Sequence, residues 1–180
     1  MSKALILIDI QNDYFEGGAF ELVNSQEASL KAKKLLEYFR KEKMPIFHIQ
    51  HINIREGSTF FLPDTKGIQI HENVKPLENE IIIEKNFPNS FLQTSLEEQL
   101  DKQNIKELVI CGMMSHMCVD STTRAAFDMG YSCTLVHDAC TTRDLEFHGK
   151  KIKASEVHNS FMSALGSVFA KLVSIDEVLK

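Results

Sequence analysis

Leu108-Val109-Ile110-Cys111-Gly112-Met113-Met114-Ser115-His116-Met117-Cys118-Val119 changes character in its middle. Leu108 to Cys111 is a short apolar run ended by glycine, the pattern of a strand covered on both faces. Asp120 to Met129 has helical spacing and closes on Gly130, a usual helix stop. A strand therefore passes through a tight turn into a helix, with Cys118 at the junction.

The same alternation runs outward in both directions. Lys3 to Asp9, Pro45 to Gln50, Glu80 to Lys85, Ser132 to His137 and Ala170 to Val173 read as further strands. Asn24-x-x-Glu27, Thr94-x-x-Glu97 and Ser174-x-x-Glu177 read as capping boxes that open helices, and Ala154 to Gly166 is helical. Ala28, Leu35, Leu36 and Phe39 give the first helix an apolar stripe. Strands alternating with helices predict an α/β fold of three layers (α/β/α) around a central, mostly parallel six-stranded sheet. Ile52 to Asn79 is the one long irregular stretch, an expected lid or interface segment.

At 180 residues, 43% hydrophobic and 25% charged, the chain fits a single domain spanning 1–180 with a full core, not a disordered segment. A net charge of −5, with no long block of one sign, argues against nucleic acid or an anionic membrane as partner. Lys31-Ala32-Lys33-Lys34 reads as a solvated helix face, and His148 to Lys153 as a basic loop. No signal peptide is evident, and no stretch approaches the roughly 20 apolar residues of a membrane span. A cytoplasmic location with four free thiols is expected. Cys111, Cys118, Cys133 and Cys140 form no Cys-x-x-Cys pair, and Cys111 and Cys133 fall inside strand patterns as core residues.

In open α/β sheets, ligands bind beyond the carboxyl ends of the strands. Asp9 ends the first strand there, Lys85 ends the third, and Cys118 follows the fourth. A helix start favours thiolate over thiol, yet free cysteines are often simply buried. Asp9 and Lys85 are costly to bury unpaired. Either they pair with each other for structure, or they flank the thiol as acid/base and charge partner.

The pieces Leu7-Ile8-Asp9-Ile10-Gln11-Asn12-Asp13-Tyr14-Phe15, Glu84-Lys85 with Phe87 and Ser90-Phe91, Gly112 to Val119, and Asp138-Ala139-Cys140 resemble the isochorismatase-like cysteine hydrolase family, in order and over nearly the whole chain. The resemblance implies an isochorismatase-like, Rossmann-like fold and a catalytic triad of Asp9, Lys85 and Cys118. It implies a cis peptide between Met113 and Met114 that aims the amides of Met114 and Cys118 into an oxyanion hole. It further implies hydrolysis of an amide, cyclic amide or ureido C–N bond of a small molecule through a thioester, by a homodimer or homotetramer that needs no cofactor.

Members that cleave the isochorismate vinyl ether lack the cysteine, so Cys118 favours the amidase branch. Ser-His-Met-Cys-Val is similar to streptothricin-hydrolase-like members, which open a cyclic amide. Vinyl-ether cleavage and a non-catalytic binding role are the alternatives. Nicotinamidases of the family carry an Asp-x-His metal pattern that Phe47 to Asn53 lacks, so no metal is expected, although His51 and His71 could meet in space. Phe15, Phe20, Phe60, Phe61 and His116 are candidate substrate contacts beside the nucleophile. Arg124 and Arg143 are candidate carboxylate binders or surface salt bridges. Asn12 and Asp13 are expected to orient the loop after Asp9, and His158 to pack in a helix.

Overall fold

The computed structural model describes residues 2–180. Strand β1 (Ser2–Ile8) is followed by helix α1 (Ser25–Lys41), β2 (Ile46–His51), β3 (Ile81–Lys85), α2 (Leu96–Lys102), β4 (Ile105–Met113), α3 (Asp120–Asp128) and β5 (Ser132–Thr141). A hairpin of β6 (Leu145–Phe147) and β7 (Lys150–Ile152) precedes α4 (Ala154–Val168), β8 (Lys171–Val173) and α5 (Ile175–Val178). Six strands form one sheet in the order β3-β2-β1-β4-β5-β8, and every pairing in it is parallel.

Because crossovers between parallel strands are right-handed, this order decides which face each helix covers. The chain moves one way from β1 to β2 to β3, then turns back past β1 to β4, β5 and β8. Helix α1 packs across β5, β4, β1 and β2, with α5 beside it. Helices α3 and α4 pack on each other, α3 against β5 and α4 against β5 and β8. Continuous burial of Ala4 to Ile8 follows from having layers on both faces. The strand order reverses between β1 and β4, and the crevice at their carboxyl ends is the topological switch point where ligands of such sheets bind.

Locally, three expectations need correction. Asn24 precedes α1 but adopts φ 55° and makes no side-chain cap; its carbonyl accepts from Ala28 N at 3.1 Å instead. Helix α2 begins at Leu96 with Ser95 at the cap position, so Thr94 stands one residue earlier than expected; its hydroxyl still accepts from Leu96 N at 3.3 Å while donating to Ser90 O at 2.6 Å. The Ser174–Glu177 box does form. His148 to Lys153 is not a loop: His148 at φ 49° and Gly149 at φ 72° make the two-residue turn of the β6–β7 hairpin.

The segment 52–80 crosses on the α1 side, with its 3-10 turn Glu72–Val74 packed on that helix. Arg40 near the end of α1 forks onto Glu80 at 2.7 and 2.8 Å and donates to Lys75 O. Nearer the switch point, Asp13 anchors the segment, accepting from Phe61 N at 2.6 Å and from Ala19 N at 3.1 Å. Gln11, fully buried, donates to Ile68 O and His51 O and accepts from His51 N. Asp13 thus orients the loop as expected, and Gln11, to which the sequence assigns no role, ties it to the end of β2. Lys33 and Lys34 are exposed. Among the described residues no helix is long and apolar enough to cross a membrane.

Candidate active site

Four strand ends build the site. Asp9 leaves β1 with φ 49°, a conformation asparagine and aspartate tolerate better than most residues, and its amide donates to Ile49 O at 3.1 Å. His51 and Lys85 end β2 and β3 as register partners. Strand β4 delivers Gly112 at φ 131°, where a Cβ would stand 2.1 Å from Ile8 O, so only glycine lets β4 lie this close to β1. The Met113–Met114 peptide is cis. A π-helical turn, Ser115–Val119, then runs directly into α3, with Met117 N and Val119 N both donating to Met114 O. Cys118 lies inside this turn rather than on the first turn of a separate α-helix.

Lys85 Nζ is 2.8 Å from Asp9 Oδ2, and neither side chain is exposed. It also donates to His51 Nδ1 at 2.9 Å and Phe87 O at 3.1 Å. Two hydrogen bonds and the ion pair thus surround the ammonium, which also lies beside the Cys118 side chain. Burial works against that charge, but the Asp9 carboxylate, and after it Cys118, outweigh burial and raise the lysine pKa. Both Asp9 oxygens are buried without a hydrogen-bond partner, so the contact with Lys85 is an ion pair and the carboxylate keeps its capacity to accept a proton. Ligand atoms of Asp9, His51 and Cys118 lie within 4.8 Å of one another.

Burial pushes the Cys118 thiol pKa far up, the Asp9 carboxylate adds to this, and Lys85 only partly opposes it. The expectation of a thiolate favoured by a helix start is therefore corrected. The resting group is a thiol, because desolvation and a neighbouring negative charge exceed the pull of the helix amides. Its proton must leave during reaction, and the Asp9 carboxylate, with an oxygen within 4.8 Å of the sulfur, is near enough to receive it.

The thiol opens into a cavity of about 600 Å³, within the range of small-molecule sites. Phe20, Phe60 and His116 line it, with Met114, Tyr14, Arg55, Arg143 and Asn86. Phe20 and Phe60 stack at 4.2 Å, and the Arg143 guanidinium lies 4.6 Å over Phe20. His116 shares a 2.6 Å hydrogen bond with Thr142 Oγ1, and burial, then Arg143, lowers its pKa.

Phe15 and Phe61 do not line this cavity. Phe15 stacks on His71 at 3.6 Å, while Phe61 is fully buried behind Tyr14 at φ 54°. Arg124 pairs with Asp120 at 2.9 Å, away from the cavity. His158 anchors the π-turn by sharing a 2.8 Å bond with Ser115 Oγ. His71 accepts from Asn73 N and does not meet His51 in a ligand set. The set that could hold a metal is Asp9, His51 and Cys118, and the Lys85 ammonium already occupies the space beside its first two donors. Tyr14 and His51 were missed as cavity residues; Tyr14 at least lies in the motif that follows Asp9.

A doubly wound parallel sheet with its reactive side chains gathered in one cavity at the switch point defines an α/β enzyme domain. The isochorismatase domain family matches residues 3–166, and the chain belongs to this family of hydrolases. It is 48% identical over 180 residues, all of both chains, to the isochorismatase family protein YddQ of Bacillus subtilis (strain 168). It is 29% identical to a streptothricin hydrolase of Streptomyces noursei, over 98% of this chain and 60% of that one. A crystal structure assigned as an isochorismatase hydrolase, from Oleispira antarctica, superposes with a TM-score of 0.94 at 45% identity, covering 98% of this chain and 95% of that one.

Proposed function

We propose that this hydrolase is cysteine-dependent and cleaves a non-peptide C–N bond of a small amide, cyclic amide or ureido compound. The buried Asp9–Lys85 pair facing a protonated Cys118 carries the reading. Asp9 accepts the thiol proton on a carboxylate oxygen while Lys85 offsets the negative charge. Sulfur attacks the carbonyl carbon, and the oxyanion is held by the amides of Met114 and Cys118. The C–N bond breaks as Asp9 returns the proton to nitrogen, leaving a thioester and ammonia or an amine. Water, giving its proton to Asp9, then releases the acid and the thiol is reprotonated.

Arg143, held over Phe20 with no carboxylate paired to it among the described residues, supports a substrate that also carries an acidic group. The relative named streptothricin hydrolase supports amide-type chemistry. Exposed Ile54, Leu62 and Leu77 on the crossover segment support assembly into a homodimer or homotetramer through that face, which size-exclusion with light scattering measures. A screen of small amides, ureido acids and cyclic amides, scored as ammonia or amine release, tests the chemistry. Release that depends on Cys118, with an acyl adduct on its peptide by mass spectrometry, is expected. Full activity in a Cys118→Ala protein would sink the reading.

A further inference from the structure

His51 belongs to no expected role, yet more of the site converges on it than on any other unassigned side chain. Its backbone is held on both sides by one buried residue: Gln11 Oε1 accepts from His51 N at 2.8 Å, and Gln11 Nε2 donates to His51 O at 2.9 Å. Its ring packs 6.0 Å from Phe61 and forms part of the cavity wall that also contains Cys118.

Lysine as an ammonium has no lone pair, so the 2.9 Å contact between Lys85 Nζ and His51 Nδ1 requires Nδ1 to accept. The ring proton must then sit on Nε2, for which no acceptor occurs among the described residues. The charged and titratable groups around the ring are Asp9 (3.9 Å from Nδ1), Lys85, Arg55 and the neutral Cys118 thiol. Burial, and then Lys85 and Arg55 against the opposing pull of Asp9, lower the imidazole pKa to about 4. The ring is neutral through the physiological range.

We propose that His51 serves the reaction with both nitrogens: Nδ1 positions the Lys85 ammonium beside Asp9 and Cys118, and Nε2–H is a fixed hydrogen-bond donor to an acceptor atom of the bound substrate. Lys85 reaches Asp9 across a site where rotation of its four-carbon stem would move the charge away from sulfur. The hydrogen bonds to His51 Nδ1 and Phe87 O, with the ion pair to Asp9 Oδ2, hold the ammonium beside the carboxylate, and His51 supplies the one side-chain hydrogen-bond acceptor among them. The cavity wall therefore presents a donor at His51, which favours substrates with a carbonyl or ring acceptor beside the scissile bond, as ureido compounds and cyclic amides have. This rests on the cysteine-hydrolase reading for its substrate side, and on geometry alone for its lysine side.

The two nitrogens can be separated. Asparagine places Oδ1 near the Nδ1 position but has nothing at Nε2; glutamine places an amide N–H near Nε2 but no acceptor at Nδ1. With p-nitrophenyl acetate as acyl probe, His51→Ala is expected to lower kcat by about ten- to a hundredfold and to raise KM. His51→Asn should recover most of kcat while KM stays raised. His51→Gln should show the reverse split. Nitrogen NMR of 15N-histidine-labelled wild-type protein should show the Nε2–H tautomer at pH 7, unprotonated down to about pH 5. Equal effects of all three substitutions on kcat and KM, or an Nδ1–H tautomer, overturn the proposal. If wild-type protein turns over neither this ester nor any amide, the hydrolase reading fails and the donor role with it. The tautomer spectrum then still decides the lysine contact.

Discussion

Asp9 Oδ2 and Lys85 Nζ meet at 2.8 Å with neither side chain exposed to solvent. Burying such a pair is close to neutral for stability when both members are present, but removing one strands the other in a dry interior. Lys85→Met is therefore expected to lose about 3–5 kcal/mol of stability, read from urea midpoints. The double substitution Asp9→Asn with Lys85→Met should recover much of it. Both proteins should be inactive as hydrolases. A single substitution as stable as wild type would mean the carboxylate is protonated or hydrated in the fold.

Cys118 and Asp9 oppose each other electrostatically. Because burial and Asp9 hold the thiol pKa well above that of an ordinary cysteine, its alkylation by iodoacetamide should keep rising with pH beyond about 10, where a free thiol of pKa about 8.5 has levelled off. Asp9→Asn removes the negative neighbour and leaves Lys85, so the alkylation curve should move to lower pH. Hydrolysis should disappear in the same protein, because the proton acceptor is gone. A rate in Asp9→Asn that follows the wild-type pH curve would show that the carboxylate does not reach the sulfur.

Gly112 carries the nucleophile turn past Ile8. A methyl group there would meet Ile8 O at 2.1 Å, on a backbone with φ 131°, and neither partner is a flexible side-chain end. Gly112→Ala should cost about 3 kcal/mol or more, visible as a lowered denaturant midpoint. It should also separate Asp9 from Cys118, so turnover falls further than stability alone explains. Nearly wild-type activity in this protein would place the β1–β4 contact outside the site's requirements.

The sheet was legible because strands covered on both faces read as unbroken apolar runs, as in Ala4 to Ile8 and Leu108 to Cys111. The edge strand β3 keeps the same apolar run at Ile81 to Ile83 although Ile82 is exposed. A charge directly after such a run is conspicuous, which is why Asp9 and Lys85 stood out. Other features depend on partners remote in sequence. His51 takes its role from Gln11 and Lys85, 40 and 34 residues away, and nothing beside it signals either bond. For Cys118, local reasoning counted the helix amides but not burial or the carboxylate from β1, both of which raise the thiol pKa. Four phenylalanines on loops looked alike, and the backbone decided among them: Asp13 fastens Phe61 N and buries that ring, while Phe60 beside it faces the cavity.

His51 also leaves a signature in stability. An unfolded histidine takes up its proton near pH 6.5, whereas the folded ring resists protonation until about pH 4. Between these values the unfolded state binds more protons, so stability falls as pH falls from 6.5 towards 4 and loses no more from this group below that. The full effect is about 3 kcal/mol at most. Urea midpoints at pH 7 and pH 4.5 should therefore differ less in His51→Asn than in wild type. An identical difference in both would assign the acid sensitivity to the other buried histidines.

Arg143 is expected to choose among substrates without taking part in bond cleavage. Its guanidinium is held at 4.6 Å over Phe20, which in turn stacks on Phe60, so its position in the cavity is set before anything binds. A charge-assisted hydrogen bond to a carboxylate in such a place is worth about 1.5–3 kcal/mol. Arg143→Ala should then raise KM about tenfold or more for acid-bearing amides, with kcat little changed and neutral amides almost unaffected. Arg143→Lys should recover only part of the loss, since an ammonium cannot both stack on the ring and grip two oxygens. Steady-state kinetics on a matched pair, an ureido acid and its primary amide, separate the cases. Equal losses on both members would make Arg143 a support for the Phe20–Phe60 wall and not a substrate contact.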